Sequence, residues 1–163
     1  MSLDGRELRN ALGRYATGVC VISTVTDTGQ PVGMTANSFS SVSLDPPLVL
    51  WSLQNDSEVY DVFSRPRFFA INILAHEHEP HSNQYARKGQ HEMDAAHYRV
   101  GKHGSPLIHE ALVSFECELE ATHEGGDHLI IVGRIRDLHE RPDGEPLLFF
   151  SGGYHKLHSA PAT

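Results

Sequence analysis

The chain has 163 residues, with 13 Lys and Arg against 21 Asp and Glu and a formal charge of −8. Its basic residues are scattered singly or in one pair (Arg87, Lys88), which excludes a nucleic-acid face, since that would need a clustered positive stripe. Length alone points to one domain over 1–163, and a charged N-terminal stretch with no apolar run near ~18 residues points to a cytoplasmic protein without membrane contact.

In chain order, residues 4–16 predict a helix with Leu8, Ala11, Leu12 and Tyr15 on one face and Gly18 as its stop. The β-branched run 19–26, the turn DTGQP at 27–31 and the arm VGMTANSF at 32–39 predict a hairpin. SSVSLDPP then leads into an apolar strand at 48–53, Asp56 or Ser57 caps a short helix through Phe63, and RFFAINIL at 67–74 is a further strand. From Glu110 to Thr122 the period is two: Val113, Phe115, Cys117, Leu119 and Ala121 alternate with Ser114, Glu116, Glu118 and Glu120, which predicts one dry and one wet face. GGD at 125–127 turns the chain into a strand over 128–138, and RPDGEP at 141–146 turns it into LLFFSGG. Strands that do not alternate with long helices argue against a parallel βαβ sheet, and the pattern predicts a mainly β, closed or partly closed antiparallel barrel. Residues 76–105 are polar, histidine-rich and without a sustained period, the mark of a functional or mobile loop.

Most familiar chemistries are missing. Twelve histidines invite a metal, but in HEHEPH (76–81) the spacing is wrong for a zinc helix and Pro80 would break one, so solvated loop histidines are expected. Cys20 and Cys117 lie in apolar strand-like runs, lack C-x-x-C spacing and read as reduced buried thiols. There is no G-x-S-x-G elbow, no Ser-x-x-Lys, no phosphate loop and no G-x-G-x-x-G. What remains is GMTANSFSSVSLDPPLVLWS (33–52), a strand arm ending in small hydroxyl and amide side chains. Thr35, Asn37, Ser38 and Ser41 supply donors for a ring carbonyl or ring nitrogen, and their small size lets backbone amides approach a planar ligand. A polar turn capped by its own Ser and Asn side chains would read the same way, so the residues alone leave both open.

That segment resembles the flavin-binding signature of the short-chain flavin reductases, the small reductase components of two-component flavin monooxygenases. LRNALGRYATGVCVIST is similar to the opening helix and strand of that family, RPRFFAINIL to its middle strand, GGDHLIIVGRI to its glycine-aspartate-histidine strand and PLLFFSGGY to its closing segment. The resemblance covers nearly the whole chain. It implies a split antiparallel β-barrel of the FMN-binding type with short flanking helices, working as a homodimer. It also implies a bound FMN or FAD, NADH or NADPH as hydride donor, and a separate monooxygenase component as partner. Carried over residue by residue, Met34, Thr35, Ala36, Asn37 and Ser38 would lie along the isoalloxazine edge, with Phe39 and Ser41 beside them. Ser52, Leu53, Gln54 and Ser57 would stand near the ribityl chain and phosphate, and Arg87 of QYARKG would pair with the phosphate. His128 would serve the nicotinamide side, with Asn37 and Ser38 stabilising charge on the reduced ring. QNDSEVY (54–60) departs from the pattern in lacking a basic residue for a strong phosphate grip. Two other readings share the barrel: a flavin-binding carrier or sensor without turnover, and a flavin oxidase like those acting on pyridoxamine phosphate. The GDH motif and the long 76–105 excursion favour turnover with a nicotinamide.

Overall fold

The computed structural model describes residues 3–158. The elements, in order, are α1 (Gly5–Leu12), β1 (Thr17–Gly18), β2 (Cys20–Val25), β3 (Pro31–Ala36), β4 (Ser40–Leu44), β5 (Pro47–Gln54), α2 (Tyr60–Phe63) and β6 (Phe68–Ile73). A 3-10 turn (His76–His78) runs into α3 (Glu79–Tyr85), followed by β7 (Tyr98–Val100), β8 (Pro106–Ile108), β9 (Val113–Gly125), β10 (His128–Glu140), β11 (Leu148–Phe150) and β12 (Gly153–His155). Seven strands form one antiparallel sheet in the order β3-β2-β6-β9-β10-β5-β4, and β1-β11-β12 form a second, small sheet. The large sheet is held together near its two edges by the hydroxyl of Ser38, which accepts the Ser52 N–H of β5 at 2.9 Å. A side chain bridges here where a full barrel would run a strand ladder, so the mainly β, split-barrel expectation holds.

The barrel interior is packed by Cys20, Ile22, Trp51, Leu53, Phe63, Phe69, Ile71, Cys117 and Ile131, with the Trp51 ring edge-on to Phe63 at 5.8 Å. A second core lies on the outer side of β2, where Val19 and Val21 meet Leu74, Tyr85, Met93, Ile108 and Leu147. Because β2 is covered on both faces, residues Cys20 to Thr24 are all buried.

Four expectations need correcting. The first helix is shorter than predicted and buries no residue: Leu8, Leu12 and Tyr15 are 43%, 68% and 80% exposed, so its apolar face meets no core among the described residues. The helix ending at Phe63 takes no cap from Asp56; at Ser57 the hydroxyl accepts the Val59 N–H at 3.4 Å and the carbonyl accepts the Tyr60 N–H at 3.0 Å, so the turn begins there, ahead of the helix N-cap at Val59. On β9, Ser114 and Glu116 are buried rather than wet, because segment 98–108 folds over that face. The Glu116 carboxylate accepts the backbone N–H groups of His103 and Ser105, and a Cβ on Gly101 would collide with it. Beside it Asn72 is fully engaged: its amide donates to Val21 and Ser23, and its oxygen accepts from Ile108 N–H and the Ser114 hydroxyl. Lastly, 76–105 is structured. Pro80 sits in the first turn of α3, where its missing N–H leaves no bond unmade, and His78 is buried rather than solvated.

Candidate functional site

The site starts from an unfinished strand edge. β3 pairs with β2 on one side. On the other, Pro31 C=O accepts the Met93 N–H at 3.0 Å, Gly33 N–H donates to His91 C=O at 2.8 Å, and the His91 ring Nδ1 bonds Gly33 C=O at 2.9 Å. Backbone alternation aims the N–H and C=O of Thr35 the same way as those of Gly33. Among the described residues neither group has a partner. That open edge borders a cavity of about 190 Å³ whose walls include Thr35, Ala36, Asn37, Ser82, Phe149 and Tyr154.

Three elements deliver or steady those walls. α3 carries Ser82, whose carbonyl accepts the Thr35 hydroxyl at 2.7 Å and fixes the helix against the strand. The small sheet brings Phe149 and Tyr154, register partners whose rings meet edge to face at 5.7 Å. β1, outside the cavity, steadies one of those walls through Thr17, whose hydroxyl accepts from the Asn37 amide at 3.3 Å. Asn37 also borders a larger, mostly apolar groove of about 500 Å³ together with Tyr15, Phe39, Ser41 and Phe115. Phe39 and Phe115 lie parallel there, 6.1 Å apart. The donors and walls suit one edge of a planar ring bearing carbonyl and imide groups, as a flavin does.

The other expected residues are placed as follows. Ser38 spends its hydroxyl on the Ser52 backbone, so the side chain holds the barrel seam. Met34 packs against the barrel core, and its sulfur accepts from the Ser57 hydroxyl at 3.8 Å. The Leu53 side chain is wholly buried in the barrel core, which leaves its backbone as the part that could meet a ligand. Ser52 and Gln54, on the alternate positions, point the other way. His128 is the register partner of Gln54, two residues beyond the Ser38 contact on Ser52, or about 7 Å along the strand. Its Nδ1 stands 2.7 Å from Asp127 Oδ1, and the hydrogen bond holds the Asp127 carboxyl below its usual range. With Nδ1–H so engaged, a neutral ring presents a lone pair at Nε2. Arg87, just past α3, forms no ion pair among the described residues and lines an open cleft of about 670 Å³ with Asn83, Gln84 and Gln90. Thus Thr35, Ala36 and Asn37 share a cavity, Phe39 and Ser41 adjoin it, and Arg87 and His128 stand outside it.

Sequence reasoning did not single out Ser82 or Tyr154. Ser82 lies in the stretch that shows no period, and Tyr154 in a closing segment whose strands are three residues long. Among the described residues no group of three His, Cys, Asp or Glu is placed to hold a metal ion, and no helix is long and apolar enough to cross a membrane.

Residues 12–158 match the family model described as a flavin reductase like domain. An FMN reductase (NADH), SmoA, of Agrobacterium fabrum is 43% identical over 94% of this chain and 87% of its own length. The reductase subunit HsaB of a flavin-dependent monooxygenase of Rhodococcus jostii is 35% identical over 94% of this chain and 78% of its own. The solved structure of the Streptomyces globisporus NADH:FAD oxidoreductase SgcE6 in complex with NAD and FAD fragments superposes with a TM-score of 0.88 at 33% identity, covering 99% of this chain and 98% of that one.

Proposed function

This chain belongs to the flavin reductase-like family and is an NAD(P)H-dependent flavin reductase, and on that premise we propose that it holds its flavin at the open edge of β3 and takes hydride from NADH. The observation that carries the placement is the unpaired N–H and C=O of Thr35 beside a cavity walled by Ala36, Asn37 and two aromatic rings. FMN is the proposed flavin, with FAD accepted by the same ring-binding edge.

Flavin, when bound, supplies the ring that accepts hydride, since no side chain can do so. The chain itself positions and polarises. Thr35 N–H and the Asn37 amide hydrogen that Thr17 does not hold donate to the ring edge that gathers negative charge on reduction. Phe39 and Phe115 wall the apolar side and exclude water. Ser38 acts through Ser52 by fixing the strand ends, with its own N–H as its contribution to a ligand. Ser52, Gln54 and Ser57 line the approach used by the ribityl chain, and Arg87 meets a phosphate. His128 binds the nicotinamide carboxamide through Nε2 and moves no proton; holding the two rings together supplies most of the acceleration. The chain works in the cytoplasm as a homodimer and hands reduced flavin to a separate monooxygenase component.

The role of His128 is tested by His128→Ala. Loss of one such contact, about 1–3 kcal/mol, should lower kcat/KM for NADH by about ten- to a hundredfold while FMN affinity and Tm stay unchanged. Loss of FMN or of fold, with normal activity per loaded site, would assign the histidine to structure instead.

A further inference from the structure

Ser82 is wholly buried on α3, and its hydroxyl has one partner among the described residues, the Tyr154 hydroxyl at 2.6 Å. Either oxygen could donate in that bond. A buried hydroxyl that donates to nothing costs the full desolvation of its proton, so the arrangement that satisfies both groups has Ser82 donating to Tyr154. The Tyr154 hydroxyl proton is then free. Tyr154 borders the cavity beside Thr35, Ala36 and Asn37, and its ring is set by the edge-to-face contact with Phe149. Ser82 is itself fixed, because its carbonyl holds the Thr35 hydroxyl.

We infer that Tyr154 is a flavin-contacting residue whose hydroxyl, held by Ser82, donates its proton to an oxygen of the isoalloxazine ring. The inference rests on the flavin lying at the β3 edge. The Thr35–Ser82–Tyr154 chain makes the donor part of the same rigid unit as the strand that binds the ring. A donor aimed at an oxygen that becomes more negative on reduction binds reduced flavin better than oxidised flavin, because hydrogen bonds to charged groups are stronger. Tyr154 therefore raises the potential of the bound flavin and makes hydride uptake easier.

The test is FMN titration by fluorescence quenching, together with the midpoint potential of bound FMN, on the wild type, Tyr154→Phe, Ser82→Ala and Asn37→Ala. Phe keeps the ring packing on Phe149 and removes only the donor. Tyr154→Phe should weaken oxidised FMN by about three- to tenfold. It should weaken reduced FMN by a further factor of about ten, which lowers the two-electron potential by about 30 mV. Ser82→Ala leaves Tyr154 its proton and should lower the potential less. Unchanged FMN affinity and potential in Tyr154→Phe, with Asn37→Ala weakened, would overturn this inference alone. If Asn37→Ala also binds FMN normally, the placement of the flavin at the β3 edge fails with it.

Discussion

Individual residues carry more than the alternation of polar and apolar positions assigns them, and the histidines of 76–105 are the main case. Nδ1 of His78 accepts the Ala75 N–H, so the neutral ring carries its proton on Nε2 and donates it to the His109 carbonyl at 3.0 Å. Burial lowers its pKa because the charged ring would lose its hydration there. Burial, with His97 and His78 close by, pushes His81 down from 6.5 to about 4. Its ring lies 4.1 Å from that of His97, and its Nδ1 is buried without a partner among the described residues. For such depressed histidines the folded state binds fewer protons than the unfolded chain, so stability falls as pH drops from about 6.5 toward about 4. His81→Gln removes that titration at a site that makes no Nδ1 bond. Urea midpoints should therefore fall less steeply over that window in the variant than in the wild type; parallel slopes would show that His81 titrates freely. His97 in turn is bonded to Tyr85, whose hydroxyl stands 2.7 Å from its Nδ1, so the cluster gives α3 a second fastening besides the one at Thr35.

At the scale of elements, α1 is the helix whose apolar face has no partner among the described residues. Asp4 caps it by accepting the Arg6 N–H at 2.7 Å, but its apolar stripe faces solvent next to the groove that Tyr15 borders. A second copy is the occupant that the homodimer reading assigns to that face. Leu8→Glu with Leu12→Glu should shift sedimentation at micromolar concentration from dimer to monomer with little change in the folding of the barrel; a double variant that stays dimeric would place the interface elsewhere. The same helix shows how far sequence reasoning reaches. Its existence was legible from the spacing of Leu8 and Leu12, whereas the direction of its face was not, because periodicity gives an apolar side and not what covers it. Strands β2, β6, β9 and β10 were legible for the same reason, as runs of β-branched or alternating residues. Burial of Ser114 and Glu116 was not, since a wet face and a face roofed by a distant polar segment have the same pattern. The candidate site divides likewise. Thr35 to Ser41 stood out as a run of small polar residues with nothing else to do, but Ser82 and Tyr154 reach it only through tertiary packing.

At the scale of the whole molecule, two cores on opposite faces of β2 tie the site together. The barrel core fixes the seam at Ser38 and Ser52, and the outer core fixes α3 and the small sheet through Tyr85 and Leu147. The cavity between them is bounded by both, so the open edge of β3 is held rigidly although the edge itself is unpaired. Such an edge would invite non-specific strand addition if it were long. Here it is short, because segment 91–93 covers the preceding residues as far as Gly33. What is left is a ring-sized interval, and its purpose is most directly examined by anaerobic stopped-flow mixing of the FMN-loaded protein with NADH. The flavin absorbance should bleach in a saturable, single-turnover phase that Asn37→Ala slows or abolishes. Flavin that stays oxidised under excess NADH would contradict the reductase assignment, and bleaching untouched by Asn37→Ala would contradict its location.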